Sequence, residues 1–243
     1  MKLAVLSDVH ANLEALKAVV RDIESKAVEK VFFLGDAVGY GANPNECVEI
    51  IDSLCEIKLL GNHDYVALGL ESSRNFNPMA QKSIKWTQEQ LTDDTVARLS
   101  DFEMEGSYLD FYMVHATPDN PLEWNYILGT QDAYDNFDHF SQRFCLVGHS
   151  HLPCVFRQEP GGNISASASN EPFLAEKKVR YIINVGSVGQ PRDGIKDACY
   201  LLIDTDEKRF EFIRVAYELD KAQEKMQNAQ LPEYLITRLA SGK

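Results

Sequence analysis

Eight short apolar segments punctuate the chain: KLAVLS (2–7), KVFFLG (30–35), EIKLLG (56–61), DFYMVH (110–115), RFCLVG (143–148), VRYIINVG (179–186), ACYLLID (198–204) and RFEFIRV (209–215). Each has the length and the β-branched and aromatic content of a strand, and most end on Gly, Ser or another polar residue. Between the first three the period changes. Leu13, Leu16, Val19, Val20 and Ile23 recur at helical spacing behind Asn12, which is suited to cap the first turn. Asn43-Pro44 opens a second helix, with Glu46 close to the position a capping box requires. Strand and helix alternating at intervals of about 30 residues read as successive βαβ units, hence as a parallel sheet in the first quarter of the chain. The later strands lie closer together, which predicts antiparallel pairing in a second sheet. Residues 77 to 102 read as one long or two short helices beginning at Asn77-Pro78, and the stretch from Leu219 as a helix with Leu219, Ala222 and Met226 along one side. The run EPGGNISASASNEP (159–172) reads as a long hairpin tip between two strands, not as a linker. One domain, 1–243, is therefore expected.

Composition narrows the class. Five cysteines, Cys47, Cys55, Cys145, Cys154 and Cys199, are odd in number and form no CxxC pair, so buried free thiols are expected in place of a disulfide framework or a thiolate zinc site. Only four consecutive apolar residues precede Ser7 and Asp8, too few for a signal-peptide core, and no later run reaches the length of a membrane span. The expectation is a soluble cytoplasmic protein. A formal net charge of −13 disfavours nucleic acid and anionic membranes as partners, since both call for a basic face.

The polar residues are placed unevenly. Five of the six histidines directly follow apolar strands: His10 in SDVH, His63 in GNHD, His115 in VHATP, and His149 and His151 in GHSH. Asp8, Asp36 and Asn62 occupy the same kind of position. In parallel sheets the C-terminal strand ends share one edge, where ligands bind, so these groups can converge. A core would not gather carboxylates and imidazoles on one edge without a cation to balance them. Asp8, His10, Asp36, Asn62, His115, His149 and His151 supply seven oxygen and nitrogen donors, too many for one tetrahedral zinc and too rich in histidine for Ca²⁺ or Mg²⁺ alone. Two divalent transition-metal ions sharing a carboxylate fit better, with Mn²⁺ first and Fe or Zn²⁺ as alternatives.

The motifs DVH (8–10), GDAVGYG (35–41), GNHD (61–64), His115 and GHSH (148–151), in that order, resemble the calcineurin-like metallophosphoesterases. NVGSVGQPRDG (184–194), followed by a strand, extends the likeness to the small prokaryotic phosphoesterase branch. The resemblance implies an α/β fold, a four-layer αββα sandwich of two mixed sheets flanked by helices. It implies that Asp8, His10 and His151 hold one metal, that Asn62, His115 and His149 hold the other, and that Asp36 bridges them. His63 would bind no metal and would protonate the leaving oxygen, while a metal-bridging hydroxide attacks phosphorus. Two divalent ions against two carboxylates and one hydroxide leave about +1, so an acidic protein can still attract phosphate. Asp64 is open between orienting a neighbouring group and simply forming a turn.

The chain departs from the protein serine/threonine phosphatases of this superfamily at Gly39-Tyr40-Gly41, where those carry an arginine. A small phosphate ester, phosphodiester or nucleotide-like, is thus the expected substrate. A phosphoprotein phosphatase, a nuclease or a non-catalytic scaffold of the same fold are the alternatives. Arg192 is expected to form a surface salt bridge, with a substitute phosphate clamp as the other reading. The aromatic stretch 121–140, with Trp124, Tyr126, Tyr134, Phe137 and Phe140, is expected to pack a helix onto the sheet, with nucleobase stacking as the alternative, and His139 to be structural.

Overall fold

The computed structural model describes residues 1–168 and 171–243. Two six-stranded sheets form its centre. The first is built on β1 (Lys2–Leu6), β2 (Lys30–Phe33) and β3 (Ile57–Lys58), which run parallel, as the βαβ reading expects. The second holds β4 (Glu105–Tyr108), β5 (Phe111–Val114), β6 (Phe144–Val147), β7 (Cys154–Gln158) and β8 (Ile164–Ser167). Next in the chain are β9 (Phe173–Leu174), β10 (Arg180–Asn184), β11 (Ala198–Asp204) and β12 (Arg209–Val215). The strand orders are β3-β2-β1-β11-β12-β9 and β4-β5-β6-β10-β7-β8.

That topology bears out antiparallel pairing in the second sheet for β4 with β5 and for β7 with β10 and β8, and corrects it elsewhere. β5, β6 and β10 are parallel neighbours, and β11 and β12 belong to the first sheet, where β11 runs antiparallel to β1. The proposed hairpin tip at 159–172 is also shorter: its turn closes at Glu159 and Asn163, and β8 uses four of the remaining residues. Residues 169 and 170 of that run lie outside the described residues.

Alternation along β1 shows how the layers arise. Leu3 and Val5 point into the core between the sheets, with Phe32, Met113, Phe144, Leu146 and Ile183. Ala4 and Leu6 point the other way, into a core closed by α1 (Leu13–Ser25) and α2 (Pro44–Leu54). Asn12 does cap α1, accepting from Ala15 N, whereas Asn43 spends its side chain on Glu46 and makes no cap to the backbone of α2. Residues 77–102 form two helices, α4 (Pro78–Gln90) and α5 (Asp93–Ser100), and preceding them α3 (Asn62–Ala67) begins at the GNHD motif. On the outer face of the second sheet α6 (Thr130–Asn136) leads into Phe137 and Phe140, which bury against Val147 and Ile182. Helices, sheet, sheet, helix is the four-layer α/β sandwich. The tail adds α7 (Leu219–Asn228) and α8 (Glu233–Arg238), whose Met226, Leu235 and Ile236 pack with Tyr40.

Candidate metal centre

Six parallel strands, three from each sheet, end at one rim, and the loops leaving them carry the polar residues singled out above. Asp8 and His10 follow β1, Asp36 follows β2, His115 follows β5, and His149 and His151 follow β6. Asn62, His63 and Asp64 form the first turn of α3 instead of an irregular strand exit. All nine are buried. Asp8, His10, Asp36, His149 and His151 also adopt a left-handed backbone, with φ between 48° and 64°. Non-glycine residues enter that region at a cost of about 1–2 kcal/mol each, and such strain collects at functional sites.

The donors form two groups that share one carboxylate: Asp8, His10, Asp36 and His151 in the first, Asp36, His115 and His149 in the second. The Asp36 Oδ2 lies 3.6 Å from His10 Nε2 and 3.4 Å from His115 Nε2. Asn62 Oδ1, Asp8 Oδ1 and His115 Nε2 are buried and make no hydrogen bond.

Backbone carbonyls orient all four imidazoles. Nδ1 of His10 faces Val38 O at 3.1 Å, that of His115 faces Leu34 O at 2.8 Å, and that of His151 faces Gln190 O at 2.6 Å. His149 is reversed: its Nε2 faces Trp124 O at 2.8 Å. Each ring thus commits one N–H to a carbonyl and turns its other nitrogen inward, the arrangement found in metal-binding histidines whose outer N–H is held by a hydrogen bond. Burial keeps His10 and His151 neutral. Their Nε2 lone pairs then face each other at 3.1 Å, with Asp8 Oδ1 at 3.2 Å from the second. Three acceptors aimed at one point repel unless a cation lies among them. The residues present therefore fit a metal site, and its field calls for positive charge: although burial opposes it, Asp36 holds His115 up at about 9.

His63 stands beside this cluster without joining it. Its ring packs against Tyr40, Phe76 and His10 at centroid separations of 4.4, 4.6 and 4.8 Å, and its Nδ1 has no partner. Burial, opposed mainly by Asp36, pushes it down to about 4, so the ring is neutral at pH 7. The open question about Asp64 is resolved. It accepts from the N–H groups of Asp36 (2.7 Å), Ala37 (3.2 Å), Val38 (3.0 Å) and Gly61 (3.0 Å), so it orients the backbone of the loop that carries Asp36. Those donors hold it against burial and the Asp36 charge, which together push it up to about 7.

A cleft opens onto these residues, lined also by Phe76, Tyr126 and Arg192. The surface salt bridge expected of Arg192 is not formed: among the described residues no ion pair includes it, and its neighbour Asp193 pairs with Arg214 instead. The aromatic stretch divides. Phe137 and Phe140 pack as expected, whereas Tyr126 stacks on His149 at 4.1 Å and Trp124 donates to Glu71 at 3.0 Å, both beside the cleft. His139 lies on the surface, 3.4 Å from Asp119.

Sequence reasoning gave no role to three supporting residues. Asn184 donates to Gly148 O and Ser150 Oγ, Ser187 donates to Asp8 O at 2.8 Å, and the Gln190 carbonyl orients His151. The signal was available for Asn184, an amide ending a strand like the other site residues.

The profile of the calcineurin-like phosphoesterase superfamily domain matches residues 1–208. Uncharacterized protein MJ0912 of Methanocaldococcus jannaschii is 41% identical over 247 residues, covering 99% of this chain and 98% of that one. A metallophosphoesterase from Sphaerobacter thermophilus superimposes with a TM-score of 0.90 at 40% identity, covering 100% of this chain and 99% of its own. Hypothetical protein PH1004 from Pyrococcus horikoshii OT3 has the same fold, with a TM-score of 0.80 at 19% identity over 100% and 98% of the two chains. With a buried Asp/His cluster of metal-binding type at the rim of its two sheets, the chain belongs to the calcineurin-like phosphoesterase superfamily and is a metal-dependent phosphoester hydrolase.

Proposed function

We propose that the protein hydrolyses small phosphate esters, phosphodiesters or nucleotide-like compounds, at a dinuclear centre. Asp8, His10 and His151 would hold one divalent cation, Asn62, His115 and His149 the other, and Asp36 both. Manganese is the first choice for such a mixed imidazole and carboxylate set. When bound, the pair supplies positive charge for the phosphoryl oxygens and acidifies a water molecule for attack on phosphorus. The observation that carries the reading is the convergence of His10 Nε2, His151 Nε2 and Asp8 Oδ1, whose facing lone pairs only a cation reconciles.

The chain's own groups do the rest. Backbone carbonyls fix four ring orientations before substrate arrives, so little reorganisation is left for the reaction. His63 lines the cleft, its ring against His10 of the first group of donors. A bound phosphate adds negative charge next to its ring and raises its affinity for a proton, which it then passes to the leaving oxygen.

The test is turnover of bis(p-nitrophenyl) phosphate with and without Mn²⁺, alongside metal analysis. Absence of turnover with every divalent metal tried would refute the hydrolase. His63→Ala is expected to retain its metal content and to lose about 10²–10⁴ in turnover of alkyl esters, the range for a proton donor, with the smallest loss on p-nitrophenyl esters, whose leaving group needs no proton. Loss of metal in that variant would remove His63 from the role.

A further inference from the structure

Arg192 enters the cleft without belonging to either metal group. The geometry points to Arg192 as a substrate-binding residue that grips a phosphoryl oxygen, with Gln190 as its positioning residue. This rests on the hydrolase reading above and adds to it a recognition element supplied by the protein and not by the cations.

In a chain with 37 acidic and 24 basic residues, an arginine at the surface finds a carboxylate easily. Arg192 does not pair with one among the described residues, although Asp193 follows it directly. Half-buried, it lines the same cleft as His63, Asn62 and Tyr126. Its guanidinium stands 5.9 Å from the centre of the Tyr40 ring, the ring that also packs on His63 and His10. Its Nη2 donates to Gln190 Oε1 at 3.1 Å, and its Nε is buried with no acceptor. A guanidinium in a cleft whose partners are the neutral side chains of Gln190, Tyr40 and Tyr126, with its Nε free and no carboxylate beside it, is arranged for an anion, and its planar fork matches phosphate oxygens.

Gln190 links this arginine to the metal centre. Its backbone carbonyl accepts from His151 Nδ1, and its side-chain oxygen accepts from Arg192. One buried residue thus fixes both the imidazole that faces a cation and the guanidinium that would face the substrate. Tyr40, backed by Met226 and Leu239, supplies the wall on the other side.

The experiment is a calorimetric titration of manganese-loaded protein with inorganic phosphate, with metal content measured on the same samples. Arg192→Ala is expected to weaken phosphate binding by about 10- to 100-fold at unchanged metal content, the range for losing a charged hydrogen bond. Arg192→Lys should recover part of the loss, since it restores charge without the fork. Gln190→Ala keeps the carbonyl to His151 and should weaken phosphate by a smaller factor. Phosphate binding within twofold of wild type in Arg192→Ala overturns the proposal. So does a fall in metal content in both Arg192→Ala and Arg192→Lys, which would make the residue structural. Wild-type protein that binds phosphate but turns over no ester would count against the hydrolase and leave the assignment of Arg192 standing.

Discussion

Gly39 holds a left-handed backbone, with φ of 84°, and a methyl group on its α-carbon would strike the His63 imidazole. Both the turn and the close approach need glycine. The neighbouring Tyr40 packs against the other side of His63, so the ring sits in a slot cut by GDAVGYG. Gly39→Ala is expected to keep the metal ligands in place, cost about 1–2 kcal/mol from backbone strain, and lower turnover at least tenfold by pushing His63 aside. Metal analysis and turnover measured together check this. Full turnover in the variant would show that the ring's position does not matter. At this scale the sequence was informative about donor types: an Asp, Asn or His after a strand is visible in the text. What it lacked were the partners. The carbonyls of Val38, Leu34, Gln190 and Trp124 that orient the rings are backbone atoms, 25 to 81 residues from the histidines they serve. No side-chain pattern marks them.

Among the elements, α2 is tied to its neighbours through Asp52, which accepts from Lys58 at the end of β3 and from Arg98 of α5. The Lys58 hydrogen bond first, and Arg98 with it, hold the Asp52 carboxyl below its ordinary value. The folded protein therefore takes up this proton less readily than the unfolded chain. The resulting stability is complete above the unfolded pKa, near 3.9, and is lost as pH falls through the lower folded value. The pair is partly exposed, so its worth is at most about 1 kcal/mol. Asp52→Asn should be less stable than wild type by up to that amount at pH 7, with the gap closing below about pH 4. Urea unfolding across that range measures it, and a gap independent of pH would mean that the carboxylate charge contributes nothing. The same elements show what periodicity reads and what it misses. All eight apolar segments contain strands, and six of them bury most of their length, whereas β3 and β12 are only partly buried. β4 and β8 escaped notice because EGSY and ISAS face solvent on much of their surface, β7 because its apolar run ends after Cys154, Val155 and Phe156, β9 because it is two residues long, and α3 because it is six residues long and begins with site residues. The placement of β11 beside β1 pairs Lys2 with Asp204, a contact that local spacing cannot encode.

For the molecule as a whole, the acidic balance and the buried centre are two sides of one electrostatic problem. Among the described residues no helix is long and apolar enough to cross a membrane. Asp8 and Asp36 are almost fully buried within a protein that already carries a net charge of −13. Folding brings them together with the neutral imidazoles of His10 and His151, whose inward nitrogens are acceptors, so the two sheets close onto an unfavourable field that bound cations relieve. Binding energy at such a site is also folding energy, because the unfolded chain does not preassemble the donors. At divalent metal about 100-fold above its dissociation constant the folded state gains about 2.7 kcal/mol. For a chain of this size that corresponds to about 5–10 °C in the unfolding midpoint. Exhaustive chelation should therefore lower the midpoint by that amount, and Mn²⁺ should restore it. Asp36→Asn should abolish most of the metal-dependent increment, because its carboxylate belongs to both donor groups. Thermal scans of chelated and manganese-loaded protein decide the matter: identical midpoints in wild type would mean that the rim of the two sheets binds no metal in the folded state.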